Sequence, residues 1–166
     1  DKAKSIVANL KLKGIRVKFD DAENQRPGWK FAEYEMKGVP VRIAIGARDI
    51  ENNVVELARR DTREKLSVSL NGLEDHIANL LDEIQMSIFN KAQDFRNQHI
   101  TEVNSWEEFV KTLDEKGGFV SAHWDGTPET EEKIKTQTKA TIRCIPLNNK
   151  QESGICILSG NESKER

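Results

Sequence analysis

The chain has 166 residues, of which 36% are hydrophobic and 33% charged, and its formal net charge is −2 at pH 7. This length fits one ordinary domain or two small ones, and the near-neutral charge excludes non-specific binding of nucleic acid through the overall field of the chain. No apolar run approaches the roughly 20 residues that span a bilayer, and the first residues lack the apolar core of a signal peptide.

The first third of the chain alternates between helix and strand signals. Apolar residues at helical spacing predict a helix that ends near Gly14, and strict alternation over residues 15–19 predicts a strand. The polar stretch as far as Pro27 is loop-like. The following elements are predicted as a helix over 28–37, a strand over 41–45, a turn over 49–53, and a hairpin of 54–57 with 65–70 around a charged tip.

A long helix is the strongest pattern in the sequence. Apolar residues recur at helical spacing from Leu73 to about His99. Ser105 and Glu108 then resemble a capping box displaced by one position. The remaining elements are predicted as a helix after Ser105, a strand over 119–124, a helix over 127–140, two strands over 142–147 and 154–158, and a frayed tail over 161–166.

The two cysteines, Cys144 and Cys156, are too few for a disulfide framework. Free thiols are therefore predicted, which is typical of a soluble cytoplasmic protein.

The common catalytic signatures are missing from the sequence, which has no phosphate loop, dinucleotide fingerprint, nucleophile elbow or zinc-protease motif. The run from His123 to Asp125 contains catalytic residue types, but neighbours on a strand point to opposite faces and cannot converge as a triad. His76 and His99 are interpreted as surface or interface residues.

A binding surface is the remaining possibility. Phe31 and Glu35 are four residues apart and share one helix face, Arg42 lies on the next strand, and Asp49 follows on the turn. An aromatic ring beside a carboxylate and a guanidinium suits an unstacked RNA base, and a carboxylate accepting from N1–H and N2–H would select guanine. The alternative is an ordinary amphipathic helix with Phe31 in the core and Glu35 in solvent, and residue chemistry alone favours it.

Several segments of the sequence resemble the anticodon-binding domain of prolyl-tRNA synthetases of the archaeal and eukaryotic-like architecture, which some bacteria also carry. The main matches are Pro27–Phe31, Glu33–Pro40, Arg42–Ile43, Gly46 and Asp49. Supporting matches are Gly14–Val17, Arg59–Thr62 and, from the start of the family's C-terminal domain core, Thr141–Pro146. The matches occur in order, and the resemblance covers nearly the whole chain.

The resemblance implies an α/β fold in three parts. Residues 1–71 would form a mixed-sheet class II synthetase anticodon-binding domain whose first strand is absent, residues 72–100 a long connecting helix, and residues 101–166 a small α/β C-terminal domain. The catalytic domain that binds proline, ATP and Mg²⁺ would lie upstream, so this fragment is expected to be non-catalytic and to hold no cofactor.

The resemblance also implies binding partners and the residues that recognise the anticodon, which are called anticodon readers here. The expected partners are the anticodon loop of proline tRNA, the protein's own catalytic domain and a second copy in a homodimer, in the cytoplasm and without a membrane. The family's anticodon readers map onto Phe31, Glu35, Arg42 and Asp49, and Lys65 matches a basic residue on the hairpin. Proline anticodons share two adjacent guanines, which fits the chemistry of a carboxylate reader.

Many members of the family hold a structural zinc through two pairs of cysteines in the C-terminal domain. The four corresponding positions here are Asp125, Thr130, Cys156 and Ser159. One thiolate, one carboxylate and two hydroxyls make a poor zinc site, so no zinc is predicted. Packing is expected to hold this region instead, through Trp124, Ile145, Ile155 and Ile157.

Two alternatives of other kinds remain open at this point. One is the anticodon-binding domain of another class II synthetase, such as the threonyl, histidyl or glycyl enzyme. The other is a non-enzymatic α/β interaction module that uses the fold without RNA.

Overall fold

The computed structural model describes residues 2–149 and 151–166. The chain divides into two compact units, one ending at Lys91 and one running from Ala92 to Arg166. None of the helices in the described residues has the length and apolar character needed to cross a membrane.

The first unit contains helices on both faces of a small sheet. Its elements are α1 (Lys2–Leu12), α2 (Pro27–Met36), β1 (Val41–Ala44), α3 (Ala47–Glu51), β2 (Val54–Arg59), β3 (Lys65–Ser69) and most of α4 (Leu73–Gln98). The predicted first helix, the helix before β1, the hairpin and the long helix are all confirmed. Gly14 ends α1 with φ 84°, a conformation that glycine adopts without a steric penalty.

The sheet of the first unit has the order β1–β2–β3, and both pairings are antiparallel. One face packs against α1 and α4, because side chains alternate along β2 and place Val55 and Leu57 in the core with Leu10, Ile77 and Leu80. Each such aliphatic side chain contributes about 1.5–3 kcal/mol when fully buried. The opposite face carries Arg42, Glu56, Ala58 and Lys65, and it is the face on which the candidate site lies.

Two predictions in the first unit are wrong. Residues 15–19 form no strand: Ile15 and Val17 pack against the core as alternation implies, but no segment among the described residues forms a ladder with them. The predicted turn over 49–53 is wrong for residues 49–51, which belong to the short helix α3, and only Asn52 and Asn53 form a turn. The Asp49 carboxylate accepts a hydrogen bond from the Gly46 backbone N–H at 2.7 Å. This bond satisfies a donor at the N-terminus of α3 and so stabilises the start of that helix.

The second unit continues from the end of α4. Its elements are β4 (Ile100–Glu102), α5 (Trp106–Glu115), β5 (Phe119–Ser121), α6 (Pro128–Thr138), β6 (Gly154–Ile155) and β7 (Glu162–Ser163). β4 pairs with β5 in parallel, and β6 pairs with β7 antiparallel. The displaced capping box is confirmed: Ser105 Oγ accepts from the Glu108 N–H, while the Glu108 carboxylate accepts from the Asn104 N–H.

Two predictions in the second unit are also wrong. Residues 142–147 form no strand in the described structure, and β6 pairs with the chain terminus instead. The terminus is not frayed, because Arg166 donates to the Glu152 carboxylate and to the Val103 carbonyl oxygen. Cys144 is exposed and Cys156 buried, and both are free thiols, as predicted.

Candidate nucleic-acid interface

A shallow pocket, partly open to solvent, lies on the sheet face opposite the core of the first unit. Its lining comprises Phe31, Tyr34 and Glu35 of α2, Val39, Arg42 of β1, Ala58 and Arg59 of β2, and Arg60. Three of the five predicted readers, Phe31, Glu35 and Arg42, are therefore brought together in one place.

Helix α2 is held against the preceding loop by one carboxylate. Pro27 occupies the first turn, where its missing N–H costs nothing. Asp20 accepts from the Lys30 ammonium at 2.8 Å, from the Ala22 N–H at 3.1 Å and from the Tyr34 hydroxyl at 3.0 Å. These hydrogen bonds, led by that from Lys30, lower the pKa of Asp20 to about 2. The contacts fix the helix that carries Phe31 and Glu35.

Arg42 covers one face of the Phe31 ring. Its guanidinium carbon lies 3.6 Å from the ring centroid, and its NH1 donates to Glu56 Oε1 at 3.2 Å. Its Nε is buried and has no hydrogen-bond partner in the described structure. Phe31 is half-buried against this guanidinium and is not part of the apolar core. An aromatic ring and a guanidinium plane are the side-chain surfaces on which an unstacked RNA base stacks.

Glu35 presents an exposed carboxylate at the rim of the pocket. Within the described part of the chain this carboxylate makes no salt bridge and no hydrogen bond. Its oxygens are free to accept from a ligand, which is the property that a guanine reader needs.

Arg59 and Arg60 complete the pocket and differ in their pairing. Arg59 forms a two-bond pair with Asp61, Nε to Oδ1 at 3.1 Å and NH2 to Oδ2 at 2.8 Å, and it lies 3.6 Å from Glu83. The Arg59 guanidinium lowers the pKa of Asp61 below its ordinary value. Arg60 instead donates its Nε to the Glu35 carbonyl oxygen at 2.8 Å.

Asp49 and Lys65 do not line the pocket. Asp49 uses one carboxylate oxygen to cap α3. Lys65 is exposed and lies directly opposite Ala58, which is itself opposite Arg42. Directly opposed residues share a sheet face, so Lys65 is two strands from Arg42, about 10 Å away, on the face of the pocket.

Sequence reasoning assigned no role to Tyr34 or Arg60. The adjacent arginines Arg59 and Arg60 at the end of a strand could have indicated a role for Arg60. Neighbouring side chains at a strand end point to opposite faces, so Arg59 and Arg60 cannot both pair with carboxylates on the core side of the sheet.

The four zinc-equivalent positions converge in the second unit around Asp125. Its Oδ2 accepts from Ser159 Oγ at 2.6 Å and from Asn161 Nδ2 at 3.1 Å. Its Oδ1 accepts from the Thr130 hydroxyl, and from the Thr127 hydroxyl at 2.9 Å. These hydrogen bonds, led by that from Ser159, lower the pKa of Asp125 well below its ordinary range. One carboxylate thus links a loop, the start of α6 and the turn after β6.

The donor set of this cluster does not fit zinc. Thr and Ser hydroxyls are poor ligands for Zn²⁺, and Cys156 supplies the cluster's single thiol. Burial raises the pKa of that thiol, but hydrogen bonds from Ser159 and from nearby backbone N–H groups outweigh it and lower the pKa. The expected packing is found for Trp124 and Ile157, whereas Ile145 and Ile155 are exposed.

Comparison with known families matches both units. Residues 1–80 match the model described as anticodon binding domain, and residues 106–166 match the model described as prolyl-tRNA synthetase, C-terminal. The α/β fold class expected from the sequence is thereby confirmed.

Curated relatives are similar to this chain over nearly its whole length. A proline–tRNA ligase of Porphyromonas gingivalis is 57% identical over 166 residues, covering 100% of this chain and 34% of the relative. One of Christiangramia forsetii is 56% identical, covering 99% of this chain and 33% of the relative. One of Bacteroides fragilis is 54% identical, covering 98% and 33%. The chain thus spans about a third of the length of the curated relatives it matches.

Proposed function

We propose a function from the premise that this chain belongs to the prolyl-tRNA synthetase family, with an anticodon-binding domain in residues 1–80 and the family's C-terminal domain in residues 106–166. The chain recognises the anticodon of proline tRNA on behalf of a ligase that attaches proline to that tRNA. The observation that carries this proposal is the shared pocket of Phe31, Glu35 and Arg42, in which the Glu35 carboxylate is unpaired within the described residues.

The pocket takes an unstacked guanine of the anticodon. Glu35 accepts from N1–H and N2–H of the base, and this pair of hydrogen bonds excludes bases that lack the two donors. The base stacks on Phe31 or on the guanidinium of Arg42, and Arg42 also donates to a base carbonyl oxygen or to phosphate.

Asp49 and Lys65 act beside the pocket rather than within it. Asp49 has one oxygen engaged in the cap of α3 and a second that can accept from the neighbouring guanine. Lys65 lies on the pocket's sheet face and can bind a flanking phosphate.

The reaction itself takes place outside this chain. The full-length protein uses ATP and Mg²⁺ to activate proline, and this fragment supplies no catalytic residue. It works with its own catalytic domain in a homodimer, in the cytoplasm.

Glu35→Gln in the full-length protein tests the proposal. The variant keeps the shape of the side chain but replaces one acceptor oxygen by a donor, which faces the donors of guanine. We expect kcat/KM for proline tRNA to fall about 5- to 150-fold, the equivalent of about 1–3 kcal/mol for one two-bond base contact. Proline-dependent ATP–pyrophosphate exchange should be unchanged, since it needs no anticodon.

Glu33→Gln is the matched control, because Glu33 lies on the same helix and pairs with Lys37 rather than lining the pocket. Unchanged tRNA kinetics for Glu35→Gln would refute the reader role. Binding to a proline anticodon stem-loop and to one with its guanines changed separates the broader alternatives. Preference for another anticodon would indicate a different class II synthetase, and binding of neither RNA would indicate a non-RNA module.

A further inference from the structure

Three arginines belong to the pocket lining, and their charges are not equally available. Arg42 is paired with Glu56 and stacked on Phe31. Arg59 is paired with Asp61 and Glu83. Among the described residues Arg60 has no carboxylate partner, and its side chain is exposed. Of the arginines in the pocket lining, Arg60 is thus the one whose charge is not paired with a carboxylate in the described residues, and the Glu35 carboxylate is the unpaired negative charge of the same lining.

Arg60 is anchored on both sides of the pocket rim. Its backbone N–H donates to the Pro40 carbonyl oxygen at 2.9 Å, and its Nε donates to the Glu35 carbonyl oxygen at 2.8 Å. That carbonyl belongs to the last turn of α2, where a cation is favoured by the helix dipole. The anchor uses only Nε, so both terminal nitrogens remain available in the described structure. A guanidinium held in this way loses less side-chain entropy when it binds a ligand.

We propose that Arg60 binds a phosphate oxygen of the nucleotide whose base occupies the pocket. This inference rests on the proposed function. The base-reading groups belong to Phe31, Glu35 and Arg42, and the exposed Arg60 lies at the solvent-exposed rim beside Glu35, where the backbone of an unstacked nucleotide can reach its guanidinium. With a net charge of −2 the chain offers no general attraction for RNA, so local cations supply it, and Arg60 is the cation of the pocket lining without a carboxylate partner in the described residues. A guanidinium presents two parallel donors to a phosphate, which an ammonium cannot do.

The salt dependence of RNA binding distinguishes a phosphate contact from a base contact. In the full-length protein, the dissociation constant of a fluorescent proline anticodon stem-loop is measured at several salt concentrations. Arg60→Gln should reduce the slope of log K against log salt by about 0.7, the value for one phosphate contact on single-stranded nucleic acid. It should weaken the cognate stem-loop and one with changed guanines by the same factor, whereas Glu35→Gln should lose discrimination and keep the wild-type slope.

Arg16→Gln is the matched control, since Arg16 is an exposed arginine of the same unit outside the pocket lining. It should keep the wild-type slope and affinity. Arg60→Lys should retain the slope of log K against log salt while binding RNA several-fold more weakly. The variant keeps the positive charge and loses the two parallel donors of the guanidinium. A purely structural role for Arg60 would change affinity without changing the slope.

The outcomes separate this inference from the proposed function. If the wild type discriminates the two stem-loops while Arg60→Gln keeps its slope, the phosphate contact is wrong and the anticodon reading stands. If Arg60→Gln loses discrimination, Arg60 reads a base and the inference is again overturned. If the wild type binds neither stem-loop, the proposed function and the inference fail together.

Discussion

Arg42 and Arg59 illustrate two ways in which one unit uses a guanidinium. They lie on neighbouring strands, and their exposed fractions are nearly equal, 13% and 14% of the side chain. Arg59 has a two-bond partner in Asp61, whose side chain is only 8% exposed. Arg42 has one bond to a half-exposed carboxylate and a buried Nε without a partner. An unsatisfied buried donor costs about 1–3 kcal/mol, so Arg42 is poorly placed for stability.

Replacing Arg42 by Met should therefore separate stability from function. The variant removes the orphaned Nε and fills a similar volume against Phe31. We expect the free energy of unfolding to change by less than about 1 kcal/mol, in either direction. Charging of proline tRNA should nevertheless fall, because the stacking plane and its donors are lost. Urea unfolding and tRNA kinetics on the same preparation check both parts.

Arg59→Met is the contrasting variant. It leaves the largely buried Asp61 carboxylate without its partner, and breaking such a pair costs on the order of 3 kcal/mol. The variant should unfold at lower urea than Arg42→Met. Equal destabilisation by both substitutions would contradict the view that Arg42 is retained for binding rather than for stability.

At the scale of elements, periodicity predicted conformation well and pairing poorly. Alternation over residues 41–45 identified β1, whose partner β2 is nearby in sequence. The same alternation over 15–19 and 142–147 predicted strands that do not form, because a strand also needs a ladder partner and the pattern carries no information about one. Pairing of β6 with β7 was missed for the converse reason: two-residue strands in a polar tail have no periodic signal.

The candidate site likewise shows that local placement could be predicted and contacts between distant segments could not. The four-residue spacing of Phe31 and Glu35 placed both on one face of α2, and both line the same pocket as Arg42. Residue chemistry alone favoured an ordinary amphipathic helix, and the role of these residues as anticodon readers was implied by the family resemblance. The hydrogen bond from Arg60 to the Glu35 carbonyl could not be predicted, since it joins backbone and side chain 25 positions apart.

Asp125 joins a loop, the start of α6 and the turn after β6, so its replacement should destabilise all three. Asp125→Asn places an amide nitrogen against the donors Ser159 and Asn161, or against the two threonine hydroxyls if the amide turns over. Since hydrogen bonds to a charged group contribute about 1.5–3 kcal/mol each, we expect a loss of at least about 2 kcal/mol in the free energy of unfolding. Tryptophan fluorescence during urea unfolding would report it, because Trp124 donates to Thr130 within the cluster.

Asp114→Asn is the control, as Asp114 is an exposed carboxylate of the same unit. Metal dependence is the second arm of the test. We expect a chelator to leave the wild-type unfolding midpoint unchanged and added zinc not to raise it, because the hydrogen bonds of Asp125 replace the links that a metal would make. A chelator-sensitive midpoint, or stoichiometric zinc in the purified protein, would show that a metal holds this region.

At the scale of the whole molecule, the same type of contact recurs in both units. Carboxylates with lowered pKa hold loops in place: Asp20 and Asp61 in the first unit, and Asp125 and Glu152 in the second. In an unfolded chain these groups titrate near pH 4. A pKa that is lower in the folded state gives stability that is fully present above the unfolded value and is lost as the pH falls through the folded value.

This linkage predicts where acid acts on the molecule. Stability should begin to decline below about pH 4 and continue to decline through about pH 2, the folded pKa of Asp20. The double variant Asp20→Asn, Asp125→Asn should be less stable than the wild type at pH 7 and should lose less between pH 4 and pH 2. The two carboxylates lie in different units, so their effects should be close to additive.

Thermal unfolding of the full-length protein at pH 7, 4 and 2 measures this dependence. The control is the double variant Asp21→Asn, Asp114→Asn, which removes the same number of charges at exposed positions next to Asp20 and within the second unit. Because the control keeps both hydrogen-bonded carboxylates, it should follow the wild-type profile. If both double variants reduce the loss of stability between pH 4 and pH 2 equally, overall charge and not these local contacts governs the acid sensitivity. If only the Asp20 and Asp125 substitutions reduce this loss, the acid limit of the fold is set by the two carboxylates that hold α2 and the Asp125 cluster.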